Sequence, residues 1–61
     1  PPLEYINRER IKLAKQLLAD KRNSIGNVSL QCGFADVNYF VRLFKKAEGI
    51  TPGLYQNCMK D

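Results

Sequence analysis

The chain has 61 residues, 44% hydrophobic and 26% charged, a composition of a folded domain rather than a disordered tail. A chain this short buries only about 60% of the surface its unfolded form exposes, which leaves room for one small domain and excludes a barrel or a doubly wound sheet. Ten basic residues against six acidic give a net charge of +4, which permits an anionic partner without demanding one. No apolar run is longer than Leu17-Leu18-Ala19 or Tyr39-Phe40-Val41, so no membrane span is expected.

The first predicted helix runs from Pro2, a residue suited to an opening helical turn, to about Ala19. Leu3, Ile6, Ile11, Leu13, Ala14, Leu17 and Leu18 sweep an arc of roughly 160°, wider than one neighbour covers, with Asn7 and Arg10 projecting inside it. An arc of that width points to a partner missing on the N-terminal side. Glu4 with Arg8 and Glu9 with Lys12 are spaced as intrahelical ion pairs. Residues 1–22 carry six basic and three acidic side chains. A polar break, Asp20-Lys21-Arg22-Asn23, follows.

Ser24 then has the chemistry of an N-cap for a short helix from Ile25 to about Cys32, with Ile25, Val28, Ser29 and Cys32 inward. Gly26 and Asn27 are poor helix formers, so this helix depends on tertiary packing. Gly33 ends it where a left-handed residue is wanted. Asp36 caps a third helix, Val37 to Glu48, whose apolar set is Tyr39, Phe40, Leu43, Phe44 and Ala47. Val37, Asn38, Val41, Arg42, Lys45 and Lys46 form its opposite face. Gly49 stops it, with Ile50 placed for the hydrophobic contact of such a stop. Thr51-Pro52 opens a short closing helix to about Cys58, with Leu54 and Tyr55 inward. No segment alternates as a strand does, so the fold class is all-α: one domain over 1–61, with a long helix at 1–20, a helix-turn-helix at 24–48 and a closing helix at 51–58.

The 24–48 unit is the informative constellation. Small Ser29 lets the two helices approach, Gly33 allows the sharp turn, and Phe34, Phe40 and Phe44 fill the angle between them. The later helix (36–48) is then free to enter a DNA major groove. On its outer face Arg42 suits a guanine edge, Asn38 suits adenine, and Val37 and Val41 suit thymine methyl groups. Lys45 and Lys46 suit phosphates, as do Ser24 with the N–H groups of Ile25 and Gly26, and Lys21 and Arg22 just ahead of them. The chain holds no His, so the commonest general base is missing and no nucleophile–base pair stands out. Cys32 and Cys58 lack metal-ligand spacing and read as free thiols. No enzyme activity, metal, cofactor or small-molecule ligand is expected. The alternative to DNA is a helical protein-interaction module whose basic face meets an acidic partner.

Ile25-x-x-Val28-Ser29-x-x-Cys32-Gly33-Phe34-x-Asp36-x-x-Tyr39-Phe40-x-Arg42-x-Phe44-Lys45-Lys46-x-x-Gly49-x-Thr51-Pro52-x-x-Tyr55 closely resembles the C-terminal signature of AraC/XylS-type bacterial transcription regulators. Pro2-x-x-Tyr5-Ile6-x-x-x-Arg10-Ile11-x-x-Ala14-x-x-Leu17-Leu18 resembles the linker helix of the same family. The resemblance implies two helix-turn-helix units joined by a long helix, of which this chain holds the linker helix and the second unit. That accounts for the wide apolar arc and for the echo of Pro2-x-x-Tyr5 in Pro52-x-x-Tyr55. It implies double-stranded DNA as partner, RNA polymerase as a further partner of the full-length protein, and a cytoplasmic location; no signal-peptide pattern precedes the first helix. The base-reading face falls by position on Val37, Asn38, Val41 and Arg42. Two residues depart from the family pattern: Ser29 stands where Ala is typical, and Gln56 stands where Arg is typical, which takes one charge from any phosphate contact there.

Overall fold

Each helix begins where a preceding residue supplies an oxygen for its free N–H groups. The computed structural model describes residues 1–59. Helix α1 (Leu3–Leu18) starts behind Pro2, whose carbonyl accepts from the N–H groups of Tyr5 and Ile6 at 3.1 and 3.2 Å. At its other end Asn23 Nδ2 donates to the Leu17 carbonyl at 2.8 Å. Helix α2 (Ile25–Gln31) opens with the Asn27 N–H donating to Ser24 Oγ at 3.1 Å. Helix α3 (Val37–Glu48) opens with the Asn38 N–H donating to Asp36 Oδ1 at 2.9 Å. Helix α4 (Pro52–Cys58) has proline in its first turn, and Thr51 Oγ1 accepts from the Leu54 N–H at 3.2 Å. No strand occurs among the described residues, so the fold is the expected all-α bundle.

The turn between α2 and α3 uses a left-handed Gly33, φ 92°. The Gly33 N–H donates to the Leu30 carbonyl and the Phe34 N–H to the Ser29 carbonyl, both at 3.0 Å. This pair of bonds satisfies the last carbonyls of α2 and swings the chain sharply. Phe34, next along, drops into the core. Gly49, φ 87°, ends α3 with its N–H donating to the Lys45 carbonyl at 2.8 Å.

The core gathers Ile11, Ala14 and Leu18 from α1, Val28 and Cys32 from α2, Phe34 from the turn and Phe40 and Phe44 from α3. Three ring contacts run through it: Phe34 to Phe40 at 5.1 Å, Phe40 to Phe44 at 5.8 Å and Phe44 to Tyr55 at 5.4 Å between centroids, separations at which tilted rings attract. Burial holds the Cys32 thiol above its usual pKa range, so it stays protonated; Cys32 and Cys58 are both free. Ser29 is 1% exposed, and its Oγ has no hydrogen-bond partner among the described residues.

Several side chains differ from the sequence expectation. The buried residues of α1 begin at Ile11; Leu3 is 63% and Leu13 40% exposed, so the wide apolar arc is only partly covered. On α3 the inward direction is rotated toward Val41, which is half-buried against the core, while Tyr39 and Ala47 are exposed. Two turns of α4 have room for one inward stripe, taken by Pro52 and Tyr55, so Leu54 is exposed rather than inward. Neither Glu4 with Arg8 nor Glu9 with Lys12 closes to an ion pair among the described residues; Lys15 instead reaches Glu48 across the bundle at 3.3 Å.

Two stability outcomes follow. A Cβ on Gly33 would stand 3.3 Å from Arg10 Nε, whereas a Cβ on Gly49 would meet nothing within 4 Å. Both alanine variants carry the left-handed strain of about 1–2 kcal/mol, so Gly33→Ala lowers the thermal midpoint more than Gly49→Ala; equal losses would show that Arg10 yields freely. Ser29→Ala removes an orphaned hydroxyl and raises stability by about 1 kcal/mol, seen as a higher midpoint; a lower midpoint would mean that the hydroxyl is bonded in solution.

Candidate nucleic-acid interface

The turn geometry decides what α3 presents. With Phe40 and Phe44 facing the core, a helical repeat of about 3.6 residues puts Asn38, Arg42, Lys45 and Lys46 on the outer side. All four are exposed, and none of their side chains makes a hydrogen bond or ion pair among the described residues. Arg42 lies at the middle of this face, one turn after Asn38. Val37 is exposed at the start of the helix, and Val41 stands at the edge, half-covered by the core. The face therefore offers an amide and a guanidinium one turn apart, with an exposed β-branched side chain at the helix start and two ammonium groups further along. Lys46 lies to one side, lining the groove between α1 and α3 with Lys12, Lys15 and Leu43.

The residues expected around the start of α2 are less uniformly available. Ser24 is exposed, with its Oγ engaged by the Asn27 N–H; Ile25 is half-buried. Lys21 is exposed. Arg22 folds back on Asp20: its backbone N–H and Nε both donate to Oδ1, and Nη2 donates to Oδ2, all at 3.0 Å. A phosphate would compete with that carboxylate for the guanidinium.

Two residues matter more in the structure than in the sequence. Gln56 Nε2 donates to the Asn23 carbonyl at 2.8 Å and to the Asp20 carbonyl at 3.3 Å. It thus staples the α1–α2 connection to α4 and faces protein rather than solvent. Tyr39, placed in the apolar set by spacing, is 39% exposed beside the outer face, and its hydroxyl accepts from Asn7 Nδ2 at 3.3 Å. Tyr39 lies at the rim of its apolar stripe, the one sequence signal that its side is variable.

The Asp20–Arg22 pair gives a direct check. Hydrogen bonds from the Arg22 side chain, then from its backbone, hold the Asp20 carboxyl below its ordinary 3.8. A depressed acid stabilises the folded state above the unfolded pKa and loses that contribution as pH falls through the folded value. In a carboxyl-carbon NMR titration Asp20 changes below the ordinary range, and Arg22→Ala returns it upward. An Asp20 midpoint that ignores the Arg22 substitution would show that the pair is open in solution.

Comparison with known proteins agrees with this geometry. A family model described as a helix-turn-helix domain matches residues 1–57. The bifunctional transcriptional activator/DNA repair enzyme AdaA of Bacillus subtilis is 36% identical over 58 residues, which is 95% of this chain and 28% of that protein. The HTH-type transcriptional regulator YisR of the same organism is 40% identical over 95% of this chain and 20% of its own length. The HTH-type transcriptional activator RhaS of Escherichia fergusonii is 39% identical over 84% of this chain and 18% of its own. The chain thus spans 18–28% of the length of these relatives. No solved structure matches significantly. With the turn on Gly33 and a model match running through all four helices, the chain belongs to the helix-turn-helix domain family.

Proposed function

We propose that this chain is a DNA-reading module of an AraC/XylS-type transcription regulator, with α1 as linker helix, 24–48 as the reading unit and 51–58 as its closing helix. The observation that carries the reading is the outer face of α3: Asn38 and Arg42 exposed one turn apart, without partners among the described residues, on a helix held proud by the Gly33 turn. In a major groove Arg42 bonds a guanine edge through two N–H groups and Asn38 pairs with adenine, while Val37 and the free edge of Val41 meet thymine methyls. Lys45 and Lys46 neutralise phosphates, and Lys21, Arg22, Ser24 and the Ile25 N–H line the backbone at the other end of the unit. Relatives named as transcriptional activators and regulators support the assignment. It also brings a cytoplasmic location and, for the full-length regulator, RNA polymerase as a second partner.

A single module of this size binds more weakly and discriminates less than a reader with two units, because specific recognition normally buries more surface than one unit offers. The exposed apolar side chains of α1, Leu3, Tyr5 and Leu13, form the surface an additional unit would cover.

The test contrasts two cations on one helix. A duplex enriched from a randomised library, its single-base variants and a scrambled duplex are titrated with each variant at several salt concentrations. Arg42→Ala costs roughly 1–3 kcal/mol on the enriched duplex and relaxes one base position. Lys46→Ala weakens all duplexes alike and lowers the slope of log K against log salt by at most about 0.9. Uniform loss with Arg42→Ala would make Arg42 a backbone contact. Binding that is flat in salt, with tighter binding to acidic polypeptides, would give the chain to a protein partner instead.

A further inference from the structure

The near half of α1 has no buried side chain before Ile11, yet it touches the reading unit through two contacts that are not apolar packing. Asn7 Nδ2 donates to the Tyr39 hydroxyl at 3.3 Å. The Arg10 guanidinium carbon lies 5.4 Å from the centre of the Phe34 ring, and its Nε stands 3.3 Å from where a side chain on Gly33 would begin. Asn7 and Arg10 are three residues apart, so they share a face of α1. Phe34 and Tyr39 are themselves in contact, 6.0 Å between centroids. The four side chains close a ring that runs from α1 to the turn, to the first turn of α3, and back to α1.

Arg10 forms no ion pair among the described residues, so the Phe34 face is the contact that orients its charge. Asn7 Oδ1 is buried without a hydrogen-bond partner among the described residues. Turning the amide over would let the Tyr39 hydroxyl donate to that oxygen, and either orientation keeps the two residues joined. Burial of Phe40 and Phe44 fixes where α3 lies, but apolar attraction has little direction. A hydrogen bond and a cation over a ring depend on angle. They resist rotation of α3 about its own axis, and that rotation decides whether Val37 and Asn38, immediately before Tyr39, face outward.

We propose that Asn7 and Arg10 are positioning residues: through Tyr39 and Phe34 they set the rotation of α3, and with it the aim of the base-reading face, from the helix that leads into the module. The inference rests on the DNA reading above. It also gives Tyr39 a reason to lie outside the core.

The experiment uses the 61-residue chain, the enriched duplex and the scrambled duplex, at a temperature where circular dichroism shows each variant fully helical. Arg10→Lys keeps the charge but loses the planar group that lies over the ring. Tyr39→Phe removes one hydroxyl and keeps the ring, so it stays folded even if a bulkier change does not. Arg10→Lys, Asn7→Leu and Tyr39→Phe each lower the ratio of enriched to scrambled affinity by roughly threefold to tenfold, a size carried through packed contacts, while scrambled affinity holds. Asn7→Leu combined with Tyr39→Phe loses no more than the larger single change, because both remove one contact. If the losses add, Tyr39 acts on DNA by itself and the proposal fails. Folded variants with an unchanged ratio overturn it as well, leaving the DNA reading intact. A wild-type chain that enriches no sequence overturns the DNA reading and the proposal together.

Discussion

Phe34, Phe40, Phe44 and Tyr55 form one continuous run of rings, each 5.1 to 5.8 Å from the next, and the four helices are arranged around it. Phe34 brings the turn, Phe40 and Phe44 bring α3, Tyr55 brings α4, and Ile11, Ala14, Leu18 and Val28 close over them from α1 and α2. Small domains have little apolar surface to spare. Truncating one of the buried phenylalanines to alanine removes about 3–5 kcal/mol, a large part of the usual stability of a domain. The position of Phe34 requires the backbone to reverse within a single residue, which is why the left-handed Gly33 stands immediately before it. Core and turn are thus one constraint: the glycine lets the ring reach its place without strain, and the ring holds the glycine's turn.

Much of this was legible from residue chemistry alone. Ser24, Asp36 and Thr51 each cap the helix that their side chains announce, and Gly33 and Gly49 both take left-handed φ. Caps are local, needing only the next three or four residues to act. The direction of α3 is not local. Spacing defined an apolar stripe containing Tyr39, Phe40, Leu43, Phe44 and Ala47, but a stripe can be rotated by half a residue step without changing its pattern. What lies opposite settles it: Phe34 and Tyr55 hold Phe40 and Phe44 at the centre, Asn7 holds the Tyr39 hydroxyl at the edge, and Val41 turns partly inward while Tyr39 stays partly outward. Asn38, Arg42, Lys45 and Lys46 stay exposed on the outer side while Val41 does not fully, because residues away from the edges of a face survive such a rotation and those at the edges do not.

Long-range polar contacts were the least legible part. Gln56 meets Asn23 and Asp20 across more than thirty positions, and nothing in the spacing of a single sequence joins them. Its departure from the typical arginine suggested only a lost charge. In the structure the amide's two N–H groups satisfy two carbonyls of the α1–α2 connection, which also leads into the Ser24 cap. The residue therefore acts on the shape of the loop rather than on the charge of a surface. Arg22 is the converse case: as a sequence it is a cation ahead of a helix, and in the structure its donors already face Asp20.

The distribution of charge also separates the two faces of the module. Lys15 is tied to Glu48 across the bundle and Arg22 to Asp20, so these cations are held by carboxylates within the protein while the net excess is unchanged. Arg42 and Lys45 are left with no protein partner among the described residues, on the side away from the core. A basic surface intended only to meet a diffuse acidic partner has no need for a planar guanidinium and an amide in register on one rigid helix. Under the proposed reading each group makes its own bidentate pair, and two parallel bonds are lost together when the helix is turned by a fraction of a residue. The Asn7–Tyr39 and Arg10–Phe34 contacts supply that angular restraint at the end of α3 where Asn38 stands. Directional contacts at the edge and apolar rings at the centre are then complementary: the rings hold the helix in place, and the edge contacts choose which of its side chains points out.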